Sequence, residues 1–273
     1  MMIEKTTSIL PVLFAACDEV YFRKHGKGFC KSGLASGHSV HVTVSPEPGP
    51  GLVERAKDLS SRLLPKFLSS FTASELERLT VEVVADKRAK ADIRDIERVV
   101  FYQSLRFFCL PDLLRKYQRP IVVLDIDSLI RAPIPVKDNA DLGLFLRLDI
   151  KGRNEEERLG MMVLGAMVYA SPSGISFFEK VISYLDTHER RYYVDQRALY
   201  ETYQADRELL IFDIAEMGWL DWTFGHSSPV WTAKGKRKRR NLQYVRERMK
   251  FEGRSLMASA LILAGYRLGL LRT

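Results

Sequence analysis

Residues 121–134, IVVLDIDSLIRAPI, decide the fold of this chain. The first four are apolar and lead directly into Asp125-Ile126-Asp127. A short continuous apolar run is typical of a strand that is buried on both faces, as in a parallel sheet covered by helices. Ligands of such sheets lie beyond the carboxyl ends of the strands. The stretch therefore predicts a buried strand with two carboxylates at the end where ligands bind.

Asp125 and Asp127 are the candidate metal ligands. Two aspartates one residue apart point the same way if the strand continues, and they converge if the chain turns. Either arrangement makes a small anionic site lined by oxygen atoms, which suits Mg²⁺ or Mn²⁺ held together with substrate phosphates. Aspartates also begin turns and cap helices, so the pair alone leaves a structural role open.

The rest of the chain predicts strands that alternate with helices. Besides residues 121–124, the strand-like runs are residues 8–17, 39–44, 81–85, 142–148, 161–170 and 209–214, the last of these closing the series. Helical spacing occurs in residues 92–117, 176–185 and 195–203. Pro111 is expected to divide the first helix in two, and glycines are expected to break a helix between the first two strands. Ser74 and Glu77 have the spacing of a capping box. The pattern predicts one Rossmann-like α/β domain with a mainly parallel central sheet flanked by helices.

The composition favours a globular protein with anionic partners. The chain has 273 residues, 46% of them hydrophobic, and 42 basic against 34 acidic residues, which gives a net charge of +8. This charge suits phosphorylated substrates, nucleic acid or an acidic membrane surface. The three cysteines form no Cys-x-x-Cys pair, and neither a signal peptide nor a membrane-spanning run is evident. We therefore expect a cytoplasmic protein.

The carboxyl-terminal part changes character. Residues 234–250 contain nine basic residues, and residues 255–271 are apolar and helix-permissive. This predicts a catalytic unit over residues 1–240 and a helical tail over residues 241–273, packed on the domain or on a membrane surface. Contact with the inner face of a membrane is one candidate use of the basic segment, and it is favoured over nucleic-acid binding because no nucleic-acid-binding signature accompanies the segment. Most such basic runs are simply solvated.

Two classes of enzyme use a buried strand followed by Asp-x-Asp. The string resembles the first motif of the haloacid dehalogenase family, in whose phosphatases Asp125 would attack phosphorus and Asp127 would act as general acid. That motif normally opens the catalytic domain, whereas more than 120 residues precede it here. The phosphatase is therefore the second hypothesis, and a non-catalytic binder of anionic surfaces is the third.

Four ordered segments resemble nucleotide-sugar glycosyltransferases of the GT-A fold, particularly the glycogenin- and lipopolysaccharide-galactosyltransferase-like group. They are residues 14–21 (FAACDEVY), 102–114 (YQSLRFFCLPDLL), 123–134 (VLDIDSLIRAPI) and 193–199 (YVDQRAL). The resemblance extends over roughly residues 8–240 and is weak between these motifs. It implies a metal-dependent hexosyltransferase-like enzyme with a GT-A-like domain, a nucleotide-diphosphate sugar as donor, an unidentified acceptor, and Mn²⁺ or Mg²⁺ at Asp125 and Asp127.

The resemblance also implies roles for residues away from the Asp-x-Asp pair. The implied nucleotide contacts are Cys17, Asp18, Tyr21 and Arg106. Asp195 and Gln196 are the implied catalytic residues, with the acceptor near Gly165. Each has a structural alternative, since Asp18 and Asp195 can cap helices and Tyr21 can be an ordinary surface residue. Arg106 lies among aromatic residues of a predicted helix, where a buried charge needs a carboxylate or phosphate partner.

Lys234, Gly235 and Lys236 are the predicted contacts of the diphosphate. Sugar transfer leaves negative charge on this group, which lysines and a metal stabilise, and a glycine lets backbone amides approach the phosphate oxygens. The glycosyltransferase group that this sequence resembles usually supplies a third metal ligand from a histidine that precedes this loop of glycine and lysine residues. In this chain Thr232 or a neighbour stands in that place, and His226 lies upstream as a candidate substitute.

Overall fold

The structure, a computed structural model, describes residues 10–89, 95–152, 154–225, 227–233, 235, 241–254 and 256–267. Within them the strands are β1 (Val12–Asp18), β2 (Val40–Ser45), β3 (Leu79–Val83), β4 (Ile121–Leu124), β5 (Leu129–Ile130), β6 (Leu142–Leu146), β7 (Val163–Ala170), β8 (Ile211–Asp213), β9 (Leu220–Asp221) and β10 (Val230–Trp231). The central sheet has the order β3-β2-β1-β4-β7-β6-β8, and a small second sheet has the order β5-β10-β9.

The central sheet is mainly parallel, as predicted. Strands β3, β2, β1 and β4 are parallel to one another, and β6 is parallel to β8. Strand β7 is antiparallel to both β4 and β6, so its first residues lie beside the carboxyl end of β4. The expected α/β fold with a mainly parallel sheet is confirmed.

Helices cover both faces of this sheet. They are α1 (Glu19–Ala35), α2 (Leu52–Leu68), α3 (Ala73–Leu76), α4 (Asp95–Tyr117), α5 (Glu155–Leu159), α6 (Ile175–Thr187), α7 (Val194–Ala205), α8 (Leu242–Phe251) and α9 (Leu256–Arg267), with a 3₁₀ turn at Pro172–Gly174. In β1, Leu13 and Ala15 pack in one apolar cluster with residues of α1, and Val12 and Phe14 pack in another with residues of α4 and α6. This alternation explains why the strands are apolar without a polar face.

Helix α1 is continuous, so the prediction that glycines break it is wrong. A Cβ atom at Gly33 would lie 2.8 Å from Val40 Cγ2 and 2.9 Å from Leu13 Cδ1. The glycine therefore lets the helix approach β1 and β2 closely. A helical glycine costs about 1 kcal/mol relative to alanine, and this packing offsets the cost.

Helix α4 also runs through its proline, against the predicted division at Pro111. A proline inside a helix costs about 3 kcal/mol because a hydrogen bond is lost and the ring crowds the preceding turn. Around it, Phe107, Leu110 and Leu114 are completely buried. Burial of each such side chain contributes roughly 1.5–3 kcal/mol, so tertiary packing outweighs the local penalty.

Two further local predictions need correction. The capping box consists of Thr72 and Glu75, not of Ser74 and Glu77, because Thr72 has the extended backbone of an N-cap and accepts a hydrogen bond from the amide of Glu75. The strand predicted at 209–214 forms as β8 but is not the last one, since the two-residue strands β9 and β10 follow it. Strands this short carry no periodicity that a sequence pattern can reveal.

The tail begins with a helix that packs on the domain. Tyr244, Val245 and Met249 of α8 are buried in one cluster with Leu129 and Trp231 of the small sheet. In α9, Met257 and Leu261 are 76% and 66% exposed. Within the described residues, no helix combines the length and apolar character that crossing a bilayer requires. The division of the chain near residue 240 and the membrane contact stay predictions.

Candidate active site at the carboxyl ends of β1 and β4

A cavity of about 270 Å³ opens where β1 and β4 end. This strand-end cavity is lined by Ala16, Cys17, Asp18, Tyr21, Val99, Tyr102, Gln103, Arg106, Asp125, Ile126 and Asp127. Ligand sites of open α/β sheets occur at this edge, because loops and helix starts converge there while the strands hold them in place. The cavity thus brings together six residues that the sequence analysis had placed in three separate motifs.

Asp18 is the last residue of β1 and the N-cap of α1. Its side chain accepts a hydrogen bond of 2.7 Å from the amide of Tyr21, which orders the first turn of the helix. Burial raises the pKa of Asp18, against the lowering effect of these backbone hydrogen bonds. The residue therefore caps a helix and also exposes part of a desolvated carboxylate to the cavity.

Asp125 and Asp127 lie in a turn, since β4 ends at Leu124. The amide of Ser128 donates to the carbonyl of Asp125 at 2.9 Å and closes this turn. The Asp125 side chain is 41% exposed, whereas Asp127 is 4% exposed. The hydroxyl of Tyr244 in α8 donates to the backbone carbonyl of Asp127. The pair therefore faces the cavity from a turn that the carboxyl-terminal helix holds in place.

Arg106 of α4 joins two carboxylates that are distant in the sequence. Its Nη1 donates to Asp125 Oδ1 at 2.5 Å, and its Nη2 donates to Asp195 Oδ2 at 3.2 Å. The side chains of Arg106 and Asp195 are 8% and 4% exposed. Burial alone would lower the pKa of Arg106, but the two carboxylates raise it above its ordinary value. A permanent positive charge thus sits beneath the Asp-x-Asp turn.

Strand β7 passes directly against this ion pair at Gly165. A Cβ atom there would lie 3.0 Å from Arg106 Nη2, 3.3 Å from Asp195 Oδ2 and 3.6 Å from Gln196 Cγ. A side chain at this position would require the guanidinium and the carboxylate to shift by a few tenths of an ångström, whereas glycine lets them meet beside the strand without a shift. Gln196, the second implied catalytic residue, also lies beside Gly165, although it does not line the strand-end cavity.

The charges of the cavity suit a divalent cation. Three carboxylates line it, and Arg106 is the single cation among its lining residues. Mg²⁺ commonly binds to one or two carboxylates while substrate phosphates and waters complete its shell. Asp125 and Asp127 fit that mode. Among the described residues, no group of three or more His, Cys, Asp or Glu side chains that could hold a metal occurs.

The predicted diphosphate loop falls largely outside the described residues. Lys234, Lys236 and His226 are among the residues that the structure does not describe. Gly235 has a left-handed backbone with φ of 53° and a Cβ there would meet open space. Thr232 is buried, and its amide donates to the carbonyl of Asp221 at 3.1 Å.

Sequence reasoning missed several residues around the cavity. Val99, Tyr102 and Gln103 lie three to seven positions before Arg106 on α4, so the helical spacing around the arginine could have indicated them. Tyr102 donates to the carbonyl of Pro46 at 3.2 Å. The bond from Tyr244 to the Asp-x-Asp turn spans 117 positions, and no local pattern reveals it.

No protein-family model matches this chain, and no curated protein matches its sequence. Solved structures do match its fold. One of them is the apo structure of WbbM, a bifunctional glycosyltransferase, which aligns over 96% of this chain with a TM-score of 0.54 at 10% identity.

The chain shares the fold of a glycosyltransferase structure. It spans about half of that structure's chain, 53% of its length. At 10% identity, this similarity shows a shared architecture and does not assign a role to any residue.

Replacing Gly165 by alanine should strain the Arg106–Asp195 ion pair. Overpacking of a buried site typically costs about 1–3 kcal/mol, and urea denaturation of G165A should show a loss of this size. In a variant that already carries Arg106→Met, the same change from glycine to alanine should cost less stability, because the flexible methionine side chain can move away from the new methyl group. Equal costs in the two backgrounds would contradict the contact as the cause.

Replacing Asp18 by asparagine should stabilise the protein at neutral pH. Asparagine caps helices as well as aspartate, and the raised pKa of Asp18 means that the ionised carboxylate opposes folding. Above the folded-state pKa the full gain is present. It should shrink as the pH falls through the raised folded-state pKa, and it should vanish below about 3.9, the unfolded value, because both states are protonated there.

Thermal melts of D18N and the wild type at pH 7 and pH 4 measure this difference. The control is D112N, which removes a charge from an exposed position of α4. A D18N variant that melts no higher than the wild type at pH 7 would refute the prediction.

Replacing Tyr244 by phenylalanine should leave the carbonyl of Asp127 without its donor while the ring still packs. An unpaired buried acceptor costs about 1–3 kcal/mol, which urea denaturation can resolve. The matched control is Y102F, which removes a hydroxyl donor from a half-buried ring. If Y244F costs no more than Y102F, Tyr244 does not support the Asp-x-Asp turn.

Proposed function

We propose that the protein is a glycosyltransferase of the GT-A type that takes its sugar from a nucleotide-diphosphate donor and binds Mn²⁺ or Mg²⁺ through Asp125 and Asp127. The observation that carries the proposal is the strand-end cavity, where both aspartates face the same space as Asp18, Tyr21 and Arg106. The shared fold with a glycosyltransferase structure supports the same reaction class.

The nucleoside end of the donor is assigned to the β1 side of the cavity. Tyr21 is 44% exposed, and its ring offers a flat face on which a base can stack. The Asp18 carboxylate is suited to accept hydrogen bonds from the ribose or the base. Burial raises the pKa of Cys17, so its thiol stays neutral and forms an apolar part of the wall.

The diphosphate is assigned to the Asp-x-Asp side. Negative charge grows on the leaving group during transfer, and a cation held by Asp125 and Asp127 would offset it. Lys234, Gly235 and Lys236 are the proposed further contacts. Because Arg106 already binds Asp125, the aspartate is held in one orientation before metal and donor arrive.

Asp195 and Gln196 are assigned to the sugar. Asp195 is 3% exposed and engaged by Arg106, which suits an electrostatic role better than nucleophilic attack. A carboxylate at this place would stabilise positive charge that develops on the sugar ring, and Gln196 could contact a sugar hydroxyl. The donor base, the sugar and the stereochemical course are open within this proposal.

The test is calorimetric titration of UDP, GDP, CDP and ADP into the protein, with and without MnCl₂. We expect one diphosphate to bind in a metal-dependent manner, and the D125N/D127N variant to bind it at least about tenfold more weakly. The matched control is D112N, an aspartate on α4 whose side chain is 86% exposed. This control should bind like the wild type.

Absence of binding to any of the four diphosphates would overturn the proposal. Hydrolysis of p-nitrophenyl phosphate, lost on Asp125→Asn, would then favour the phosphatase hypothesis. Binding that is equally strong without metal and in D125N/D127N would remove the metal from the proposal.

A further inference from the structure

A second cavity, of about 250 Å³, lies on the other side of the first turn of α7. The end of α6, the loop from α6 to α7 and the loop from β6 to β7 form its walls. We call it the tyrosine cavity, because Tyr184, Tyr192 and Tyr193 line it together with His188. Its residues have no role in the site described above.

The aromatic rings of the tyrosine cavity are arranged as platforms. Tyr184 and His188 are stacked with their centroids 3.6 Å apart and their planes within 5°. Tyr192 meets Tyr193 edge to face at 4.5 Å, and Tyr192 is 54% exposed. An exposed flat face with a polar tip, as Tyr192 offers, binds ligands that combine an apolar face with hydroxyl groups. Pyranose rings have this character.

The charges around the cavity are balanced. Arg191 binds Glu189 at 2.8 Å and Glu156 at 3.4 Å. Arg197 lies 3.4 Å from Glu201. Each arginine among the described residues that line the cavity is thus matched by a carboxylate, so these residues carry no excess positive charge that would attract an anion. Paired carboxylates and guanidinium groups can still exchange hydrogen bonds with neutral hydroxyls.

Contacts with Arg88 hold the loop that carries these rings in place. Asp186 accepts a hydrogen bond of 2.7 Å from Arg88, and Arg190 donates to the carbonyl of Arg88 at 2.6 Å. Tyr193 has a left-handed backbone with φ of 70°, a conformation that costs energy for a residue with a side chain. The surrounding contacts hold it there, so the cavity is formed in advance of any ligand.

The tyrosine cavity lies next to the candidate active site, because consecutive residues of α7 belong to the two. Val194 lines it, and the next residue, Asp195, binds Arg106, which lines the strand-end cavity. The first turn of α7 therefore separates two preformed cavities at the same edge of the sheet. A ligand in the tyrosine cavity would lie beside the residues to which the sugar is assigned.

We propose that the tyrosine cavity binds a neutral carbohydrate, which serves as the acceptor of the transfer. The acceptor role rests on the proposed function, whereas carbohydrate binding rests on the stacked rings and the balanced charges alone. Tyr192 is the most exposed of the three tyrosines and supplies the main stacking face.

The test is saturation-transfer difference NMR of the full chain, without nucleotide or metal. The probes are the methyl glycosides of glucose, galactose, mannose and N-acetylglucosamine. We expect ring protons of at least one probe to receive saturation. Y192A should bind that probe about tenfold more weakly, while Y192F, which keeps the ring, should bind like the wild type. No signal from any probe, or equal binding by Y192A, would overturn the proposal.

The nucleotide titration separates this proposal from the previous one. Y192A should bind the diphosphate like the wild type, and D125N/D127N should lose the diphosphate but keep the saccharide. If saccharide binds and no diphosphate does, the proposed function fails and the acceptor role fails with it, while carbohydrate binding by the cavity stands. If the diphosphate binds and no saccharide does, only the present proposal fails.

Discussion

The buried guanidinium of Arg106 is the constraint on which the site depends. A charge removed from water must be paired, and here Asp125 and Asp195 pair it from two different elements. The contacts tie α4 to the end of β4 and to the start of α7, across 19 and 89 positions of sequence. Loss of either carboxylate would leave part of the charge uncompensated, so three elements must dock together.

Other features follow from the space that this ion pair needs. The reversed strand β7 passes beside it and carries glycine at position 165, because a Cβ there would crowd both partners. Asp195 at the start of α7 belongs to the ion pair, whereas Tyr193 and Val194 line the tyrosine cavity. On the far side, Tyr244 of α8 holds the turn that carries Asp127. Both cavities are thus bounded by elements whose positions the core already determines.

The local predictions failed where packing outweighed propensity. Pro111 and Gly33 are residues that break helices in isolation, yet the buried neighbours of one and the close strand contacts of the other keep α4 and α1 continuous. The local cost is about 1 kcal/mol for the glycine and about 3 kcal/mol for the proline, and the stabilisation from packing exceeds each of these costs. Strand β10 forms as a two-residue pairing on β5, and β9 as a two-residue pairing on β10, so neither carries a pattern of its own.

The sequence by itself determined the seven strands of the central sheet, the helices α4, α6 and α7, and the placement of the Asp-x-Asp turn after a buried strand, because apolar periodicity and strand termination are local properties. It predicted neither the 17-residue helix α2 nor the strands of the small sheet. It also indicated that Arg106 needs an anionic partner, since a charge among aromatic residues cannot be buried alone. Only the tertiary structure decided which carboxylates pair with Arg106 and which side chains of α4 face the strand-end cavity. It alone also showed that three tyrosines line a second cavity, the tyrosine cavity. The ion pairs of Arg106 join residues 19 and 89 positions apart, and the side chains that face each cavity are set by how the helices pack on the sheet.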